Sequence, residues 1–176
     1  KVEGVGRIKT EPDMAIVILG VVTENKQLQL SQQENAGRID SILKTLTEKD
    51  VSSGDVKTFS YSITPQCDYV DGSQVFRGYR VEHLLQITIR DIKRVGEIID
   101  AAVQSGANQV NNIRFSVGNP SLYYQQALNE AVGDAFLKAG TLEARLNVSV
   151  SRVPVRIIER AYDTGNEIKP LTLQAE

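Results

Sequence analysis

The stretch that decides the fold is LLQITIRDIKRVGEIIDAAVQSGANQVNNIRFSV, residues 84–117. It opens with alternating apolar and polar residues as far as Ile89, which predicts a half-buried β-strand. After Asp91, a favourable N-cap, apolar residues recur at helical spacing and predict a helix over 92–104. Those residues are Ile92, Val95, Ile99 and Ala102. A polar turn follows, and alternation resumes over 110–117, so the stretch predicts a strand–helix–strand unit.

The same pattern occurs elsewhere in the chain. An apolar run at 14–22 precedes a predicted helix at 26–48, and a turn then leads into an alternating strand at 57–64. A partial third copy runs from a predicted helix at 120–146 into a predicted strand at 153–161. The chain therefore carries an internal half-repeat.

Clean alternation in most strands indicates a sheet with one covered face and one polar face. We predict an α+β fold with a mixed, largely antiparallel sheet and helices on one face, in the order β-β-α-β-β-α-β-α-β. Its 176 residues are expected to form a single domain, 1–176.

If both predicted helices pack on the same face, they share one core with the inward residues of the strands. The helical spacing of Ala36, Ile39, Leu43 and Leu46 predicts the buried face of the first helix. The expected shared core is Ile39, Leu43, Ile99 and Ala102, joined by Ile87, Ile113 and Phe115.

A long hairpin is predicted from 57–70 and 74–90, around the turn dipeptide Asp71-Gly72. Fourteen strand residues span about 46 Å, whereas the helix at 92–104 spans only about 20 Å. The distal part of the hairpin therefore projects beyond this helix. Pro65 cannot donate a ladder hydrogen bond, so it marks an edge or a bulge where the projection leaves the sheet.

Two groups of residues are candidate contacts between copies of the chain. Tyr69, Phe76 and Tyr79 lie on the projecting hairpin, and aromatic residues supply large contact areas at interfaces. Arg152, Arg156 and Arg160 share one face of the predicted final strand, where Pro154 favours an edge location. These arginines are either a solvated face or partners for acidic residues of a neighbouring copy.

Bulk composition excludes several classes of function. The net charge of −2 and dispersed Lys and Arg residues argue against a nucleic-acid partner. The longest apolar run, Ala15–Val22, is too short to span a membrane.

The chain begins at Lys1 inside a patterned segment, and we expect that a segment upstream of it was removed.

Few residues are suited to catalysis. The single histidine, His83, could act as a base near neutral pH, but a satisfied, partly buried strand residue is the simpler interpretation. The single cysteine, Cys67, has no adjacent base or cation to form a thiolate. One histidine and one cysteine do not suit a zinc site. Gly4-Val-Gly6 precedes a strand rather than a helix, so it lacks the dipole of a phosphate loop. We predict no catalytic residue, metal or cofactor.

Several motifs together resemble the SIMPL-domain family over nearly the whole chain. The first is Gly4-Val-Gly6 followed by Pro12-Asp13 and the strand Ala15–Val22. The others are Gly78-Tyr79, Asp91, Ile98–Ala102, Gly106–Asn108, Ile113–Phe115 and the alanine-rich run from Ala127 to Ala139.

The resemblance implies an exported protein, in the periplasm or on the cell surface, linked to stress tolerance. It also implies ring-like or channel-like homo-oligomers and no established catalytic residues. We therefore predict a non-enzymatic homo-oligomeric assembly or binding module whose partner is itself. The alternative is a small-molecule-binding or hydrolytic protein that uses a cleft near His83.

Overall fold

The computed structural model describes residues 1–151, 153–159, 162–163, 168–169 and 171–175. The helices are α1 (Leu28–Glu48), α2 (Val95–Gln104) and α3 (Pro120–Leu146). The strands are β1 (Val2–Gly6), β2 (Met14–Asn25), β3 (Val56–Val70), β4 (Ser73–Ile89), β5 (Gln109–Ser116), β6 (Ile157–Ile158), β7 (Tyr162–Asp163), β8 (Ile168–Lys169) and β9 (Leu171–Ala175). The predicted α+β class is confirmed, and the element order through β6 is the predicted one.

The chain forms two compact units. The central unit is Pro12–Ser116, and the terminal unit combines Lys1–Glu11 with Val117–Glu176. Whether the two unfold together as the single domain 1–176 stays a prediction.

The central unit holds a four-stranded antiparallel sheet in the order β3-β4-β2-β5. The two strand–helix–strand repeats, β2-α1-β3 and β4-α2-β5, interdigitate, because the first strands of both repeats are neighbours at the centre. This is the double split β-α-β arrangement. The arrangement makes β2 a central strand, which accounts for its continuous apolar run.

Both helices of the central unit cover one face of this sheet. The core contains Ala15, Val17, Leu19 and Val21 from β2 and Leu85, Ile87 and Ile89 from β4. The helices contribute Ile39, Ile42 and Leu46 from α1 and Val95, Ile98 and Ala102 from α2, with Ile99 packed against them. The shared core of the two helices is therefore confirmed.

The buried face of α1 differs from the predicted one. Its buried residues are Ser31, Asn35, Ile39, Ile42 and Leu46. Ala36 is exposed, and Leu43 is 37% exposed. The prediction of a buried Leu43 was wrong because the inner face of α1 continues from Ile39 through Ile42 to Leu46, which leaves Leu43 beside that face.

Hydrogen bonds explain how Ser31 and Asn35 are buried. The Asn35 side-chain amide donates to the carbonyl oxygens of Val21 and Val81, both at 3.1 Å. The hydroxyls of Thr23 and Ser31 lie 2.9 Å apart, and the Thr23 hydroxyl also donates to the Ser31 carbonyl at 2.8 Å. Buried polar groups with partners avoid most of the cost of desolvation. The Oδ1 atom of Asn35 is buried without a hydrogen-bond partner among the described residues.

The expected burial of Ile113 and Phe115 was also wrong. Ile113 lies opposite Val17 and Phe115 opposite Ala15, so both face the core side of the sheet as predicted. However, β5 is an edge strand, whereas α1 packs against the central strands β2 and β4. Phe115 consequently remains 48% exposed.

In the terminal unit, the glycines of β1 lie directly against the alanine-rich helix α3. A Cβ added to Gly4 would overlap the Ala131 carbonyl oxygen, and one added to Gly6 would overlap that of Ala127. Ala127 and Ala131 are buried. Gly4-Val-Gly6 is therefore a close-packing motif.

Side chains of α3 bind the backbone of β1 and of Arg7, the residue that follows it, along the edge opposite β9. The Asp134 carboxylate accepts from Val5 N–H at 2.8 Å, the Glu130 carboxylate accepts from Arg7 N–H at 3.1 Å, and Lys138 Nζ donates to the Glu3 carbonyl at 3.1 Å. Four helical residues advance about 6 Å and two strand residues about 6.6 Å. Because these two advances are nearly equal, helix residues four apart form hydrogen bonds with backbone groups of the extended segment two residues apart.

This edge predicts a pH dependence of stability. A hydrogen bond from Lys138, at 2.7 Å, and the Val5 N–H hold the pKa of Asp134 below its usual value of 3.8. A lowered folded-state pKa contributes stability above pH 3.8, and that contribution is lost as pH falls through the folded pKa. We expect Asp134→Asn to be less stable than wild type at pH 7 and to converge with it in strong acid. Urea unfolding of both proteins across pH measures this; a pH-independent difference would contradict it.

Candidate interaction surface on the projecting hairpin

The β3–β4 hairpin extends beyond the rest of its sheet. Pairing of β2 with β4 ends where Asn25 lies opposite Tyr79. Beyond this point β3 and β4 pair only with each other, from Gln66 opposite Gly78 to Val70 opposite Ser73. We call residues 66–78 the arm. The predicted projecting hairpin is confirmed.

The turn at the tip follows from its two residues. Asp71 and Gly72 have φ values of 51° and 78°. Positive φ at both central positions is the geometry that suits the right-handed twist of a two-residue hairpin, and Asp-Gly favours it. The predicted turn is therefore confirmed.

An irregularity marks the base of the arm, next to Pro65. The register shifts between Gln66, opposite Gly78, and Cys67, opposite Phe76. Arg77 is left as an extra residue, which defines a β-bulge. Pro65 itself lies on the exposed edge strand opposite Tyr79, as its missing N–H predicts.

The aromatic candidates lie on the arm and at its base. Tyr69 is 77% exposed and Phe76 is 48% exposed, whereas Tyr79 is half-buried. The rings of Phe76 and Tyr79 are 5.1 Å apart with an interplanar angle of 65°, an edge-to-face contact. The structure therefore brings two of the three together and leaves Tyr69 nearer the tip.

Ion pairs at the base connect the arm to the sheet. Arg77 lies 2.9 Å from the Glu24 carboxylate and 3.7 Å from that of Asp68. Arg80 lies 3.7 Å from Glu24 and 3.3 Å from Glu82. Each exposed pair contributes little to stability, but together they join β2, β3 and β4. Sequence reasoning missed this network because it depends on strand register.

One of the three candidate arginines falls within the described residues. Arg152 and Arg160 lie outside the described residues, and Arg156 is exposed. The predicted strand over 153–161 was wrong in extent, because β6 contains only Ile157–Ile158. This strand is at an edge of the sheet ordered β1-β9-β6. Pro154 and Arg156 precede it in the chain. A role of these arginines in contacts between copies stays a prediction.

His83 is a half-buried strand residue with two neighbours. Its Nε2 lies 3.3 Å from the Thr58 hydroxyl, and its ring meets Tyr61 edge-on at 5.3 Å. Burial lowers the pKa of His83 below 6.5, which favours the neutral imidazole near pH 7. A neutral imidazole within hydrogen-bonding distance of a hydroxyl is how a general base is placed beside a nucleophile. The sequence did not reveal Thr58, because the contact crosses strands. Cys67 is half-buried and lies opposite Phe76.

A cavity of about 460 Å³ lies elsewhere in the central unit, with Asp55, Arg90 and Arg94 among its lining residues. Arg90 donates two hydrogen bonds to Asp55, at 2.8 and 2.7 Å, and thereby lowers the pKa of that carboxyl. Arg94 donates to the Lys49 carbonyl at 2.8 Å. The strong donors of this cavity are thus engaged with the protein itself.

In the part of the chain that the structure describes, no three His, Cys, Asp or Glu side chains gather closely enough to hold a metal ion. Nor does any helix in that part combine the length and apolar character needed to cross a membrane.

Comparison with known proteins gives a family match and several relatives. Residues 1–173 match the SIMPL family, described as a protein of unknown function (DUF541). The 26 kDa periplasmic immunogenic protein of Brucella melitensis is 29% identical over 157 residues, which cover 86% of this chain and 63% of the relative. The uncharacterized protein YggE of Escherichia coli K12 is 22% identical over 139 residues, which cover 79% of this chain and 56% of the relative. The chain thus spans less than two thirds of the length of these relatives.

Proposed function

Because this chain belongs to the SIMPL family, we propose that it is a non-enzymatic module that associates with copies of itself through the arm. One observation carries the proposal. The arm presents four large apolar side chains to solvent on a two-stranded ribbon: Tyr69, Val70, Val75 and Phe76. Exposed aromatic residues of this kind are typical of protein interfaces.

We also propose that the module acts outside the cytoplasm, in the periplasm or at the cell surface. The support is the name of the Brucella relative, a periplasmic immunogenic protein. A role in stress tolerance or in the cell envelope is proposed from the resemblance to the family alone.

Self-association is tested with Phe76→Asp. We expect the wild-type chain to sediment as an oligomer at micromolar concentration and the variant to shift to smaller species, because a charge at an apolar contact must be desolvated. The matched control is Val103→Asp on α2, since Val103 is 47% exposed and Phe76 48%. Circular dichroism should report folded protein for both. A wild-type chain that remains monomeric at high concentration would refute the proposal.

The absence of enzymatic activity is tested separately. Generic ester, phosphate and peptide substrates should give only background turnover. The alternative, a hydrolytic or small-molecule-binding protein, draws support from the Thr58–His83 contact of 3.3 Å. Turnover that disappears in His83→Ala and Thr58→Val, but persists in Cys67→Ser, would establish that alternative instead.

A further inference from the structure

We propose that α3 closes the outer edge of β1 against the addition of another strand. Glu130, Asp134 and Lys138 do this by occupying the backbone groups that a neighbouring strand would bind. The arm belongs to the central unit and this edge to the terminal unit, so the closure does not depend on the proposed function.

The edge in question is the one that β9 leaves uncovered. β1 is the outer strand of the sheet ordered β1-β9-β6 and pairs with β9 alone. In an antiparallel pair, successive residues direct their backbone groups alternately toward the partner strand and away from it. The backbone groups that meet α3 belong to Glu3, Val5 and Arg7, which are alternate residues, so they point away from β9. Unpaired groups of this kind are a template on which another chain can pair as a strand.

Each of the three α3 side chains has the polarity that its backbone partner requires. The carboxylates of Glu130 and Asp134 accept from N–H groups, at 3.1 and 2.8 Å. The Lys138 ammonium, which can only donate, meets the Glu3 carbonyl oxygen at 3.1 Å. Two N–H groups and one C=O group are thus satisfied, as they would be by an added strand.

Lys138 also fixes the central member of this set. Its Nζ donates to the Asp134 carboxylate at 2.7 Å. This bond, with the one from Val5 N–H, lowers the pKa of Asp134. An ionised carboxylate has acceptors only, so at neutral pH Asp134 is suited to hold the N–H of Val5.

The glycines of β1 make the closure possible and also make it necessary. Gly4 and Gly6 lie so near α3 that a Cβ on either would overlap the helix backbone. Asp134 has a short side chain, and this close approach lets it reach Val5. A glycine-rich strand, however, specifies its pairing register weakly and is prone to alternative pairing with other chains. Covering such an edge with a helix and with charged side chains is a known protection against it.

Two double variants that remove the same two negative charges test the closure. Glu130→Ala with Asp134→Ala, the alanine pair, removes both acceptors. Glu130→Gln with Asp134→Asn, the amide pair, retains oxygens that can accept from the same N–H groups. At micromolar concentration and pH 7, we expect the alanine pair to form thioflavin-T-positive assemblies about tenfold faster than the amide pair or wild type. Circular dichroism before incubation should report folded protein for both, and the arm is unchanged in both.

A proline at the edge should restore the closure. The Val5 N–H points to α3 and not to β9, so Val5→Pro removes a donor from the outer edge and leaves the β1–β9 hydrogen bonds in place. Added to the alanine pair, Val5→Pro is expected to return the assembly rate to that of the amide pair, because proline cannot donate to an added strand.

Equal assembly rates of the alanine pair and the amide pair would overturn the inference, because lost charge and not an open edge would then be the cause. Failure of Val5→Pro to slow the alanine pair would overturn it as well. If the alanine pair does not fold, Asp134→Ala and Asp134→Asn give the same comparison at a single hydrogen bond. Equal rates for these two single variants would also count against the closure.

Discussion

Ile42→Ala is expected to lower the free energy of unfolding by about 2–5 kcal/mol, the usual cost of truncating a fully buried aliphatic side chain. Ile42 is fully buried in the core of the central unit, between α1 and the sheet. The loss combines removed apolar burial with the cavity left behind. Chemical denaturation followed by circular dichroism measures it.

The adjacent residue supplies the control for this prediction. Leu43 has the same number of carbon atoms but is 37% exposed. Leu43→Ala is therefore expected to cost about 1 kcal/mol or less. Equal losses for the two variants would mean that the buried face of α1 has been assigned incorrectly.

Gly4→Ala is expected to cost about 3 kcal/mol, at the upper end for overpacked sites. The new methyl group would overlap the Ala131 carbonyl oxygen. That atom belongs to the backbone of α3, so it cannot move aside as a flexible side chain would. The substitution should therefore force β1 away from α3 and weaken the hydrogen bonds that Glu130 and Asp134 accept from it.

Gly140→Ala on the same helix is the matched control. A Cβ added at Gly140 meets nothing within 4 Å, so alanine should stabilise the helix by about 0.5–1 kcal/mol. Destabilisation at both sites would contradict the close approach of β1 to α3.

Ile42→Ala and Gly4→Ala together also test the single-domain prediction. Ile42 lies in the central unit and Gly4 in the terminal unit. If residues 1–176 unfold as one domain, Ile42→Ala and Gly4→Ala should shift the same transition. Two resolved transitions, each shifted by one variant, would establish two domains.

Local pattern in the sequence determined the elements and their class. Helix α3 was predicted at its observed bounds, because Asn119 accepts a hydrogen bond from Leu122 N–H and Pro120 occupies the first turn. Asp71-Gly72 and Pro65 likewise predicted the turn and the base of the arm. Each of these signals depends on the dihedral preferences or hydrogen-bonding groups of a few neighbouring residues.

Only the tertiary structure decided which faces are buried. Helical spacing made Leu43 as plausible a core residue as Ile42. The burial of Asn35 in α1 depends on the carbonyl groups of Val21 in β2 and Val81 in β4. Ile113 and Phe115 alternate correctly, yet they remain exposed because β5 lies at the edge of the sheet. The orientation of Phe76 depends on one extra residue at Arg77. Periodicity specifies the direction of a side chain relative to its own element, whereas burial depends on which other elements cover it, and that is set by strand order and register.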